Sequence, residues 1–210
     1  MCEHHETSPQ RRLILQALAT GSLLSFSANG APRSIHHLKG RVLVNGRLAQ
    51  YDTLIKAGDN VETLRDSSIV FVVDKDAYML RENSRLSLIV KNSVIDTLRL
   101  FSGKLLSVFG SGQKKLQTPI ATIGIRGTGT YMTAEPSKTY FCTCYGTVDI
   151  ASWQSSKMLE RVTGTHHNAR IITASNKQSW NMLPAKFEDH SDDELIMLES
   201  LVGRKPPFAV

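Results

Sequence analysis

Thr118-Pro119-Ile120-Ala121-Thr122-Ile123-Gly124-Ile125-Arg126-Gly127-Thr128 is the stretch on which the reading of the fold turns. Pro119 has no N–H to give to a sheet ladder, so it marks a strand start or an edge. Gly124 and Gly127 permit positive φ or close backbone approach. Arg126 stands between those glycines, where its guanidinium could fold back onto carbonyl oxygens of a neighbouring layer. Thr118, Pro119, Arg126, Gly127 and Thr128 therefore read as an architectural corner of a β-rich module. The stretch holds no nucleophile and no acid/base pair.

On both sides of the corner, short β-branched runs alternate with turn residues. Arg41-Val42-Leu43-Val44 is followed by Asn45-Gly46, a strong hairpin signal. Ala57-Gly58-Asp59 turns into Val61 to Leu64, and Asp66-Ser67-Ser68 leads into Ile69 to Val73, an apolar run suited to burial on both faces. Tyr78 to Leu80, Arg85 to Val90 and Ile95 to Phe101 follow. Ser102-Gly103 breaks the pattern before Leu105 to Phe109. Beyond the corner come Gly129 to Thr133 and Thr139 to Tyr145, then Gly146 as a turn into Thr147 to Ala151. Further strands are expected near Lys157 to Val162 and Ala169 to Thr173. Strands spaced by about 8–12 residues argue for an all-β sandwich, barrel or solenoid. Several are too brief to bury a face alone, which favours stacked layers.

One helix is expected, near the end. Ser191 is an N-cap, Glu194 completes a capping box, and Asp192 and Asp193 suit the positive end of the dipole. Leu195, Leu198, Leu201 and Val202 form an apolar stripe that either packs back on the β body or docks a partner. Gly203 stops the helix and Pro206-Pro207 prevents a restart.

The 210 residues carry a formal net charge of +6, but no run of Lys/Arg longer than two. Without a basic stripe or binding motif, nucleic acid is not an expected partner. Arg11-Arg12 precedes Leu13-Ile14-Leu15 and a moderately apolar stretch ending near Ala28. This is the tripartite pattern of an export signal, similar to the twin-arginine type, with small residues permitting cleavage after Gly30. The run is too short and polar for a stable membrane span. A periplasmic location is expected. Cys142 and Cys144 remain after the signal, too few for a disulfide framework.

The segment from Gly40 to Ala151 resembles the FecR domain of periplasmic signalling and envelope proteins. The resemblance rests on Gly40-Arg41-Val42 with Asn45-Gly46, the Ala57-Gly58-Asp59 turn, Asp66-Ser67-Ser68 into Ile69 to Val73, Ser102-Gly103-Lys104, Thr118-Pro119-x-Ala121 through Thr128, and Tyr145-Gly146-x-Val148. It implies an all-β, solenoid or β-helix-like stack of short strands with the one C-terminal helix appended. The division it suggests is an export signal over 1–30, a FecR-like domain over 31–152, a β-rich extension over 153–190, and a helix and tail over 191–210. The sigma-regulating cytoplasmic segment of the iron-signalling members is not expected here. A non-enzymatic module that binds a protein or glycan of the cell envelope is the leading expectation. A degenerate component of FecR-type iron signalling is an alternative.

One constellation carries chemistry. Cys142 and Cys144 are two apart on an expected strand and so share a face. His166-His167 follows at a distance that lets the chain return beside them. Two thiolates and one or two imidazoles suit zinc or another soft metal. Against this, a strand Cys-x-Cys splays its sulfurs and adjacent histidines on a strand point to opposite faces. Buried thiols with no cofactor are therefore the simpler expectation, and a metal sensor the alternative. No Gly-x-Ser-x-Gly, His-Glu-x-x-His or phosphate loop is present, so no enzyme is expected.

Overall fold

The computed structural model describes residues 33–153, 158–174 and 180–209. The expected export signal over 1–30 lies outside the described residues. In chain order the strands are β1 (Ile35–Lys39), β2 (Val42–Val44), β3 (Arg47–Leu48), β4 (Asn60–Thr63), β5 (Ser68–Val73), β6 (Asp76–Leu80), β7 (Arg85–Lys91), β8 (Val94–Val108) and β9 (Gln113–Gln117). After them come β10 (Ala121–Arg126), β11 (Gly129–Ala134), β12 (Lys138–Ser152), β13 (Met158–Gly164), β14 (Asn168–Ala174) and β15 (Trp180–Ala185), then the helix α1 (Asp192–Leu201). Among the described residues, no helix is long and apolar enough to cross a membrane.

The fold is all-β, but it is a barrel with extra strands rather than a solenoid. A β-helix pairs successive rungs in parallel. Here every pairing among the described strands is antiparallel except β8 with β9. The hydrogen-bonded ring β8–β11–β12–β10–β9–β8 closes on itself. Closure removes edges from those strands. Further strands extend the ring into two sheets. Sheet I runs β1–β5–β6–β8–β11–β12–β14–β15. Sheet II runs β3–β2–β4–β7–β8–β9–β10–β12–β13.

The reason lies in two glycines read from sequence as breaks. Gly103 and Gly146 do not end strands; each is where a 15-residue strand bends from one sheet into the other. Gly103 has φ +89°, and a Cβ there would sit 2.4 Å from the Ser84 Cα. Gly146 has φ +92°, and its Cβ would fall 2.5 Å from the Thr128 methyl. Both corners need the left-handed region and the bare Cα together. Bent strands that serve two sheets make a barrel from a sequence that looks like many short rungs.

The Thr-Pro corner is the turn between β9 and β10. The Thr118 N–H donates to the Ala121 carbonyl at 2.9 Å, and its Oγ1 accepts from the Ala121 N–H at 3.1 Å and from Thr139 Oγ1 at 2.8 Å. Pro119 sits where no ladder N–H is needed. Arg126 does not fold back as expected. It ends β10 exposed, its guanidinium donates no hydrogen bond to a carbonyl among the described residues, and it borders an open cleft of about 560 Å³ with Lys115, Asp149 and Arg161. At the edges of sheet I lie β1, which carries His36 and His37, and β15, which falls within the β-rich extension expected over 153–190.

The two faces of sheet I are both covered, which explains its nearly unbroken apolar runs. Inward, Phe71, Leu80, Leu105, Met132 and Phe141 meet Leu86, Leu98, Leu116, Ile123, Val148 and Ile150 of sheet II in the barrel core. Outward, Val70, Leu106, Tyr131, Tyr140, Cys142 and Cys144 lie under Leu195 and Leu198 of α1. Among the described residues, sheet II is covered on its inner face alone; Arg99, Lys115, Thr122, Asp149 and Arg161 on its outer side are half-buried or exposed.

Candidate metal centre

The outer face of sheet I holds the chemistry. Cys142 lies on β12 opposite Tyr131 of β11 and Ala169 of β14. The β11–β12 register pairs Gly129 with Tyr145 but Thr130 with Thr143, so Cys144 is the extra residue of a β-bulge. A bulge sharpens local twist and re-aims side chains. The two sulfurs that a flat strand would splay come within 4.8 Å of each other.

The imidazoles come from two other elements. His166 and His167 lie in the β13–β14 turn rather than on a strand. His167 has φ +54°, and its N–H donates to the Cys144 carbonyl at 3.0 Å, which pins the turn over the bulge. His190 precedes the N-cap of α1; its ring stacks on Tyr131 at 4.5 Å between centroids and meets Phe187 edge-on at 4.6 Å. Ring packing and burial hold His190 in one place.

Two acceptor partners fix which ring nitrogen carries the proton. His190 Nδ1–H donates to the Glu188 carbonyl at 2.8 Å, leaving Nε2 as a lone pair. His167 Nε2–H donates to the Asp192 carboxylate at 2.8 Å, leaving Nδ1 as a lone pair. These two nitrogens face each other at 3.2 Å. His190 Nε2 is 3.3 Å from the Cys144 sulfur, and His167 Nδ1 is 3.7 Å from the Cys142 sulfur. All four ligand atoms lie within 4.8 Å of one another.

Those separations can be checked against a tetrahedron. With Zn–S near 2.3 Å and Zn–N near 2.0–2.1 Å, its edges are about 3.3 Å for N–N, about 3.6 Å for N–S and about 3.8 Å for S–S. The N–N distance and the N–S distances from His190 to Cys144 and from His167 to Cys142 fall close to these edges. The ring hydrogen bonds to a carboxylate and a carbonyl are those by which outer groups orient metal-binding histidines.

The Cys142 thiol is held well below its ordinary value, first by the hydrogen bond from Cys144, against the effect of burial; His190 and His167 act in the same direction when their facing nitrogens carry a proton, a proton that a bound cation would replace. Burial, with the neighbouring Cys142, pushes the Cys144 thiol well up. The pair thus carries one thiolate readily, and a cation between the sulfurs would favour the second. At Asp192, burial raises the carboxyl pKa, but hydrogen bonds from His167 and His166 outweigh it and the net shift is downward.

Of the sequence-predicted ligands, Cys142, Cys144 and His167 converge. His166 does not join them: it is exposed and pairs with Asp192 at 2.9 Å, outside the four-atom group. His190 takes its place and was missed, since it lies 46 residues from Cys144 with no ligand spacing to mark it. Its one signal was position, directly before a capping box. The apolar stripe of α1 packs back on sheet I: Leu195 and Leu198 are fully buried, and Leu201 and Val202 are half-buried. A partner cannot reach Leu195 or Leu198 while the helix is seated.

No family model and no curated protein matches the chain. Solved structures do. Two crystal structures, each of a candidate anti-sigma factor from Parabacteroides distasonis ATCC 8503, share this architecture. One aligns with TM-score 0.50 at 9% identity over 60% of this chain and 59% of its own; the other with TM-score 0.51 at 10% identity over 66% and 63%. The chain thus spans about three fifths of the length of these neighbours. What the likeness shows is a shared all-β fold.

Proposed function

We propose that this chain is a non-enzymatic, metal-binding regulatory module. Cys142, Cys144, His167 and His190 hold one soft divalent ion, zinc before others, in a site fixed by the fold. The observation that carries the reading is the pair of lone-pair nitrogens facing each other beside two buried sulfurs. Four donor atoms within 4.8 Å of one another, with the other nitrogen of each imidazole already engaged, suit one shared cation. No open coordination position is reserved for a substrate, so the ion has a structural or sensing role.

The regulatory part rests on other support. The ordered FecR-like motifs and the anti-sigma-type neighbours point the same way, toward a degenerate component of envelope signalling. The Arg11-Arg12 signal supports export to the periplasm. Export of already folded protein would let the ion be loaded beforehand. The partner would be a protein or glycan of the envelope.

Elemental analysis of untagged protein, prepared reduced and metal-replete, tests the metal reading. One zinc per chain is expected, falling below about a tenth in a C142S/C144S double variant that still folds by circular dichroism. Wild-type protein without stoichiometric metal would overturn it.

A further inference from the structure

The geometry points to a second role for the same ion: it controls whether α1 stays seated on sheet I. This rests on the metal reading above. The four ligands come from two sides of an interface. Cys142 and Cys144 belong to β12 and His167 to the adjoining turn, all within the β body. His190 belongs to the segment that leads directly into α1, and Asp192 in the first helical turn braces His167. An ion held by all four donors therefore ties the start of the helix to the sheet.

The other attachments of that end are ring packing of His190 on Tyr131 and polar contacts near the surface: Asp189 pairs with Lys104 at 2.5 Å and accepts from Tyr131 at 3.3 Å, with both partners of the ion pair more than a third exposed. Arg81 reaches Glu194 at 2.8 Å, but both side chains are about a quarter or more exposed, at 30% and 25%. Such pairs add little to stability. Ten residues are too few for a helix to persist alone in water. The buried apolar footing of α1 amounts to Leu195 and Leu198. At its far end, Glu199 accepts from Tyr145 and pairs with Arg204 at 2.6 Å. Without the ion, His190 is held to the β body by packing and hydrogen bonding alone; the ion adds a bond from His190 to a centre that β12 and the His167 turn also hold.

Amide hydrogen exchange of the full chain, with and without zinc alone as the probe, tests this. Exchange at the Leu195 to Leu198 amides should slow at least about tenfold when free zinc exceeds the dissociation constant a hundredfold, because binding favours the seated state. H190A should abolish that zinc dependence, whereas R81A should keep it. Zinc bound stoichiometrically by wild type with unchanged helix exchange would overturn the inference and leave the metal site standing. Zinc-dependent protection that persists in H190A would also overturn it. No zinc bound at all would remove the metal reading itself, and the inference with it.

Discussion

At the scale of single residues, charge burial is the most decisive feature outside the Cys142, Cys144, His167 and His190 group. Asp76 is fully buried, with Lys114 at 2.8 Å and the Gly110 N–H at 2.9 Å. D76N keeps the shape and removes the charge that Lys114 faces. Breaking a buried pair in this way costs about 3–5 kcal/mol. Urea denaturation should show a loss of about 3 kcal/mol or more; a loss under about 1 kcal/mol would contradict the buried-pair account. Asp149 is a milder case. The hydrogen bond from Arg161, with nearby Arg126, holds its carboxyl below the ordinary value. Its contribution to stability is therefore present above the ordinary carboxylate range and lost as pH falls through the depressed value. An NMR titration of R161L should move the Asp149 midpoint back up; an unmoved midpoint would rule out Arg161 as the cause. Legibility at this scale was uneven. The thiols and His167 could be read from residue type and spacing. Exchange of His190 for His166 could not, because the β13–β14 turn and the approach of the segment before α1 are set by pairings far apart in the chain.

At the scale of elements, local signals were legible wherever they are self-contained. Asn45 at φ +50° and Gly46 at φ +78° make the two-residue hairpin between β2 and β3, as their side chains require. Ser191 and Glu194 form the reciprocal capping box. S191A should cost about 1 kcal/mol and raise exchange in the first turn of α1, with no change in the β body. The glycines at the bends were not legible in the same way. Positive φ suits a turn and a mid-strand corner equally. Only pairing on both sides of Gly103 shows that β8 continues through it. G103A places a Cβ against the Ser84 backbone in a left-handed conformation. Thermal melts should show a destabilisation of about 2 kcal/mol or more. A neutral effect would mean that β8 does not bend there.

At the scale of the whole molecule, the sequence pattern led to the right class and the wrong closure. Short apolar runs with turn residues between them identify an all-β protein, and Ile69 to Val73 was correctly read as covered on both faces. The same pattern cannot tell stacked rungs from two long strands that each serve two sheets. The parallel pairing of β8 with β9, which completes the ring, joins residues about eighteen apart, such as Thr97 with Lys115, across an intervening stretch of chain. That contact leaves no mark on local periodicity. Barrel closure matters for function because it leaves sheet I with a spare outer face. That face holds the bulge at Cys144, the two thiols and the footing of α1. Zinc K-edge X-ray absorption on the untagged full chain tests this assignment most directly. The account predicts two sulfurs near 2.3 Å and two nitrogens near 2.0–2.1 Å, with no further ligand. A shell of nitrogen and oxygen alone, or one unchanged in C142S/C144S, would contradict it.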